Sequence, residues 1–212
     1  MTESQPMGQP LRKSGLFWAG VFVGGLILVE LIATGISFLR PVMSGPAAHR
    51  GVGEHLAFLE IEPLTGDPPR LSSADLQGRV TLLNFWGPWC PPCRAELPHL
   101  AVLPQRFAGQ GFQLVAISYP NRDDDVASLR EETAEVLKRL NVDLSTYHDP
   151  GSKTQTAIDR VIGFDGFPTN VLLDCKGVIR AVWVGYQPGV EREVANYIEM
   201  LLNEAIANGS GT

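Results

Sequence analysis

The sequence predicts an α/β domain, a mixed sheet flanked by helices on both faces, placed behind a single N-terminal transmembrane helix. Three observations carry that expectation. Strand-length apolar runs alternate with helix-length segments from residue 54 onward; two strands joined by a tight turn follow near the end; and the run Leu16–Leu39 contains one ionisable residue, Glu30. Alternation closed by a hairpin is the pattern of a mixed sheet with both faces covered.

Residues 1–15 are polar and are expected to form a disordered tail. The segment 16–39 can cross a hydrocarbon core of about 30 Å as a helix. It exceeds the apolar stretch of about 7–15 residues in a cleavable signal, so an uncleaved anchor is expected, with Pro46-Ala47-Ala48 leaving later cleavage open. Arg12 and Lys13 before it are matched by Arg40 and Arg50 after it, and loop charge does not decide its orientation. A dithiol tethered at a membrane suits the compartment where secreted and membrane clients meet thiol chemistry, which places the amino terminus in the cytoplasm and the domain outside. Residues 40–53, rich in Pro, Gly and Ala, read as a linker, 54–205 as one domain and 206–212 as a flexible tail.

Within the domain, Leu56–Ile61 reads as a strand that extends the sheet at its amino-terminal end, Ser72–Leu76 as a capped turn and Arg79–Trp86 as a buried strand. A helix over 91–107 carries Leu97, Leu100, Ala101 and Phe107 on an apolar side, with Pro98 and Pro104 expected to bend or interrupt it before Gly109 and Gly111. Phe112–Ser118 is the next strand. A helix over Asp123–Leu140 has acids at its start and Lys138 and Arg139 at its end, which complements the macrodipole. Lys153–Val161 is helical; Asn170–Leu173 and Val178–Val184 are strands about the Lys176-Gly177 turn; Val190–Ala205 is the last helix.

The first 50 residues hold 4 Lys and Arg against 2 Asp and Glu, and the rest hold 13 against 21. So acidic a domain is no nucleic-acid surface. At this size a core forms without a disulfide scaffold. Two of the three cysteines fall in Trp89-Cys90-Pro91-Pro92-Cys93, after an apolar strand and at the start of a helix. Thiols three residues apart on a first helical turn can join reversibly, and prolines are tolerated where amides lack intrahelical partners. The free amides and positive end of the dipole favour a Cys90 thiolate, the form that attacks disulfides. A zinc site would need a second pair of ligands, which His99, His148 and Cys175 do not supply at a recognisable spacing, so no metal is expected.

The run Leu83-Asn84-Phe85-Trp86-Gly87-Pro88-Trp89-Cys90-Pro91-Pro92-Cys93-Arg94-Ala95-Glu96-Leu97-Pro98, followed by Phe167-Pro168-Thr169, resembles the thioredoxin superfamily, in particular its membrane-tethered TlpA and ResA type. The resemblance spans about Leu56 to Leu202 and implies a thioredoxin-like sheet, no cofactor, and thiol-disulfide oxidoreductase activity. By it, Cys90 is the attacking and more exposed cysteine and Cys93 the resolving one. Pro168 matches the family's cis-proline, and Trp89, Phe167, Pro168 and Thr169 form the edge where clients dock. Glu96, three residues beyond Cys93, matches an acidic residue held close to the dithiol, where a carboxylate can tune the thiols or move a proton. Asn84 replaces the buried Asp of thioredoxins proper, which moves proton handling towards Glu96. Trp86 and Trp89 read as packing and platform residues.

The implied function is exchange with protein thiol and disulfide clients as a reductant, supplied by an upstream membrane electron donor, with cytochrome c maturation or metal-centre assembly clients. Two alternatives stand beside it. A peroxiredoxin-like peroxidase expects Thr or Ser where Gly87 stands, and a copper carrier on this fold separates its cysteines by three residues rather than two. Cys175 falls at an exposed turn with no partner in view; Glu30 and Gly20-xxx-Gly24 hint weakly at a helix partner in the anchor.

Overall fold

A computed structural model describes residues 45–121 and 125–209. The expected anchor at 16–39, the tail before it, Glu30, and the acidic pair Asp123 and Asp124 lie outside the described residues. Among the described residues no helix is long and apolar enough to cross a membrane.

Among the described residues seven strands form one sheet: β1 (Glu60–Thr65), β2 (Leu71–Ser72), β3 (Val80–Trp86), β4 (Phe112–Ser118), β5 (Thr146–His148), β6 (Thr169–Leu173) and β7 (Ile179–Val184). Their order is β2-β1-β5-β4-β3-β6-β7. β3, β4 and β5 run parallel, while β6 lies antiparallel to β3 and β7 to β6, so the sheet is mixed, with β3 inside it. Among the described residues five helices accompany it: α1 (Pro91–Leu100), α2 (Leu103–Arg106), α3 (Val126–Leu140), α4 (Lys153–Ile162) and α5 (Val190–Ala207).

β3 is buried along its whole length, which is why it reads as a nearly continuous apolar run, broken by Thr81 and Asn84. Its alternate residues face opposite sides. Leu83 and Phe85 join Leu59, Ile61, Val115, Ile117, Ile158, Ile162, Val171 and Leu173 in a core that α4 covers. Leu82 joins Leu100, Leu103, Phe107, Leu172, Val194, Ile198 and Leu201 in the core under α1, α2 and α5. Asn84 and Trp86 follow Leu82 on that second face.

Two helix ends differ from the expected ones: α3 starts at Val126, capped by Asp125, and α5 runs on to Ala207, into the expected tail. Four further differences bear on the fold. The first ladder begins at Glu60 rather than Leu56; Leu56 and Leu59 are buried, but outside the ladder, and the strand runs on through Pro63, where a register shift absorbs the missing N–H. β2 and β5 have two and three residues, too few to show a period of two. The long helix is broken between Leu100 and Leu103, with Pro98 kept inside α1 and Pro104 in the first turn of α2. Finally, part of the expected linker is tied to the domain: Arg50 Nε donates to the Ile162 carbonyl at the end of α4 (2.8 Å), and Gly53 N donates to Ile179 O (2.8 Å).

Candidate redox site

β3 delivers the chain to the site. After Trp86 it turns through Gly87-Pro88-Trp89, and Cys90 becomes the N-cap of α1, with Pro91 and Pro92 in the first turn. The Cys90 sulfur accepts the Cys93 N–H at 3.3 Å, and the two cysteines are joined in a disulfide. A reduced Cys90 in this place would receive one amide hydrogen bond and the positive helix end, both favouring the thiolate. Cys90 is 3% exposed and Cys93 1%, so the expected order holds within a pair that is buried throughout. Trp86, Leu97, Ala116, Val136 and Leu137 surround the pair, and Phe167 packs against this cluster.

Trp89 is 37% exposed beside the pair. Its indole N–H donates to the Tyr119 carbonyl (3.0 Å) and its ring meets Phe167 edge to face (5.6 Å). Gly87 makes room for this: a Cβ there would fall 2.5 Å from Trp89 Nε1. Trp86, by contrast, is fully buried, which leaves it a packing residue and not a platform. The Phe167–Pro168 peptide is cis, as the resemblance implied, and β6 starts at the next residue, Thr169. The Pro168 carbonyl accepts from Gly185 N (2.8 Å).

Behind the pair stands Glu96, on the buried side of α1 with Cys93, Leu97 and Leu100 and only 1% exposed. It is no solvated surface glutamate. Asn170 Nδ2 donates to its Oε1 (2.7 Å) and Asn84 Nδ2 to its Oε2 (3.2 Å), while Asn84 Nδ2 also donates to Asn170 Oδ1 (2.8 Å). Burial pushes the Glu96 carboxyl up to about 7; the two amide hydrogen bonds oppose that, and the charge of Glu191 adds to it. A carboxyl poised there can accept and return a proton near neutral pH.

Asn170 is the residue that the sequence reading placed in a strand and gave no role. It stands directly opposite Asn84 in the β3–β6 ladder. The available signal was an amide at the head of an otherwise aliphatic run, two residues past Pro168. Cys175 lies in the β6–β7 turn and is half-buried rather than exposed, lining a cavity with Gly78, Val80, Leu202 and Ile206. Among the described residues no group of acids, histidines and cysteines could hold a metal ion.

The chain is similar to known proteins. The chain matches the Redoxin family over residues 51–201. The thiol:disulfide interchange protein DsbE of Pseudomonas aeruginosa is 34% identical over 149 residues, 67% of this chain and 73% of that protein. The thiol-disulfide oxidoreductase ResA of Bacillus subtilis is 25% identical over 177 residues, 84% of this chain and 90% of its own length. Among solved structures, a thiol:disulfide interchange protein of the thioredoxin family from Chlorobium tepidum TLS matches with a TM-score of 0.54 at 25% identity, over 68% of this chain and 95% of that one. The chain belongs to the Redoxin family, and its enzyme class is thiol-disulfide oxidoreductase, of the DsbE and ResA type with a Cys-x-x-Cys pair.

Proposed function

We propose that this Redoxin-family chain is a membrane-tethered reductant of protein disulfides outside the cytoplasm, acting through the Cys90/Cys93 dithiol. The observation that carries the reading is the pair at the cap of α1, with a buried carboxyl, Glu96, one turn beyond Cys93. The Cys90 thiolate attacks one sulfur of a client disulfide; that bond breaks and the other client sulfur leaves as a thiolate. Cys93 gives its proton to the Glu96 carboxylate and attacks the Cys90 sulfur, which releases the second client thiolate and leaves the Cys90–Cys93 disulfide. Glu96 then returns the proton to the departing client thiolate, which leaves as a thiol. A dithiol donor in the membrane restores the reduced pair.

Trp89, which is exposed, and Phe167, which is half-buried, form the edge on which the client rests, with the cis Pro168 beneath them; Thr169, expected in that edge, is fully buried and its hydroxyl donates to the Gly166 carbonyl (2.6 Å), which removes its side chain from docking. The anchor is assigned to Leu16–Leu39, whose length and composition suit a hydrocarbon core. The names of the DsbE and ResA relatives support the exchange chemistry, and the resemblance to tethered proteins of this type supports clients in cytochrome c maturation or metal-centre assembly.

Trapping tests the whole reading. With Cys93→Ser in the intact chain, in its own membrane, client proteins accumulate on Cys90 as mixed disulfides that dithiothreitol releases. Failure of any client to accumulate on Cys90 overturns the exchange mechanism, and recovery of the chain in the soluble fraction overturns the tether.

A further inference from the structure

Two buried carboxamides serve one carboxylate here. Asn84 and Asn170 are paired across the β3–β6 ladder, on the face that α1 covers, and are 1% and 0% exposed. Asn84 spends both amide hydrogens, one on Glu96 Oε2 and one on Asn170 Oδ1, and its own Oδ1 is buried without a partner. An orphaned acceptor in a core is unfavourable, and aliphatic residues of similar size would fill both strand positions without it. The arrangement therefore costs stability, and what it achieves is the placement of Glu96. Asn170 makes the shorter contact, 2.7 Å against 3.2 Å, and comes from the strand that follows Pro168.

We propose that Asn170 is a positioning residue for disulfide exchange: its carboxamide fixes the Glu96 carboxylate beyond Cys93 and ties it to the strand that directly follows Pro168, so that proton acceptor and client-docking edge are held as one piece. The proposal rests on Glu96 being the proton acceptor for Cys93. β3 and β6 present the two carboxamides, α3 presents Val136 and Leu137 to the same cluster, α5 brings the Glu191 charge, and α1 itself carries the two cysteines. Loss of the Asn170 donor leaves the carboxylate with one hydrogen bond from Asn84 against undiminished burial, and so raises the pH at which Glu96 ionises.

An isosteric pair isolates the donor. Asn170→Val and Asn170→Thr have the same shape, and only the threonine keeps a hydroxyl. The readout is the rate at which the reduced full chain reduces the disulfides of insulin, followed from pH 5 to 9. Wild type gives an inflection near the Glu96 value of about 7. The valine variant moves that inflection up by about one pH unit, the size expected for one hydrogen bond to a charged group, and the threonine variant moves it less. In a Glu96→Gln background the two variants have superimposable profiles. Wild-type profiles for both variants overturn the proposal, as does a valine shift that survives in Glu96→Gln. If Glu96→Gln itself keeps the wild-type inflection, the proton-acceptor reading falls and the proposal with it. Should the valine variant fail to fold, threonine against wild type decides by the same criteria.

Discussion

Among the described residues two carboxylates are buried, and they are held in opposite ways. Asp149, 9% exposed, accepts the backbone N–H groups of Thr154 (3.0 Å) and Gln155 (2.8 Å) in the first turn of α4, and the Tyr119 hydroxyl (2.8 Å). Glu96 accepts side-chain amides alone. The donors to Asp149 include amides that every helix start leaves without intrahelical partners, so its charge answers a need of the fold and meets the positive end of a dipole. The donors to Glu96 answer no such need, and burial outweighs them, which brings its ionisation up to about 7. A buried carboxylate held by backbone is a structural part; one held by carboxamides can be tuned into the range where protons move.

Removing each carboxylate should separate these roles. Asp149→Ala uncaps α4 and leaves the Tyr119 hydroxyl buried without its acceptor, so a loss of about 3 kcal/mol is expected in urea unfolding at pH 7, with the exchange pH profile unchanged wherever the protein is folded. A loss below 1 kcal/mol would break the comparison. Glu96→Gln should act on pH dependence instead. With the folded-state value raised from 4.5 to about 7, full stability is present below pH 4.5, where both states are protonated. Between these values the unfolded chain has released its proton while the folded one holds it, so stability falls as pH rises, by up to about 3 kcal/mol, and stays reduced above pH 7. Unfolding of the oxidised protein at pH 4.5 and 8 measures this, and Glu96→Gln should abolish the difference. An equal fall in the variant would place its origin elsewhere.

The sequence made the centre of the sheet legible and its edge obscure, for reasons particular residues illustrate. Phe112–Ser118 lies where the sequence places it, because its run is mostly apolar, is buried from Val115 onward and follows Gly111. β5, Thr146–His148, carries no such mark; its three residues pair because β4 and β1 flank them. Cys90, Cys93 and Pro168 were legible from motif spacing. The burial of Glu96 was half legible, since Cys93, Leu97 and Leu100 mark one side of α1 and Glu96 lies among them. Asn170 was not, because its partner depends on a register that only the folded ladder fixes. Nor was Tyr119, whose several contacts come from segments distant in the chain.

Tyr119 joins the two regions and gives the finest test of their difference. Its hydroxyl donates to Asp149, its carbonyl accepts from Trp89 at the redox site, and its ring packs near Phe85 (6.1 Å) and Phe167 (5.4 Å). Burial and the Asp149 charge both push its phenol pKa upward, so it remains a donor at any working pH. Tyr119→Phe removes the hydroxyl and keeps the ring and carbonyl. Asp149 retains its two helix donors, so the expected loss is about 1 kcal/mol, felt as a lower unfolding midpoint without a change in exchange rate. If the two carboxylates are independent, Tyr119→Phe and Glu96→Gln add to within about 0.5 kcal/mol in the double variant. A coupling above 1 kcal/mol would mean that the ring carries strain from the α4 cap into the dithiol cluster through Phe167, and the division between a structural and a chemical carboxylate would have to be redrawn around Tyr119.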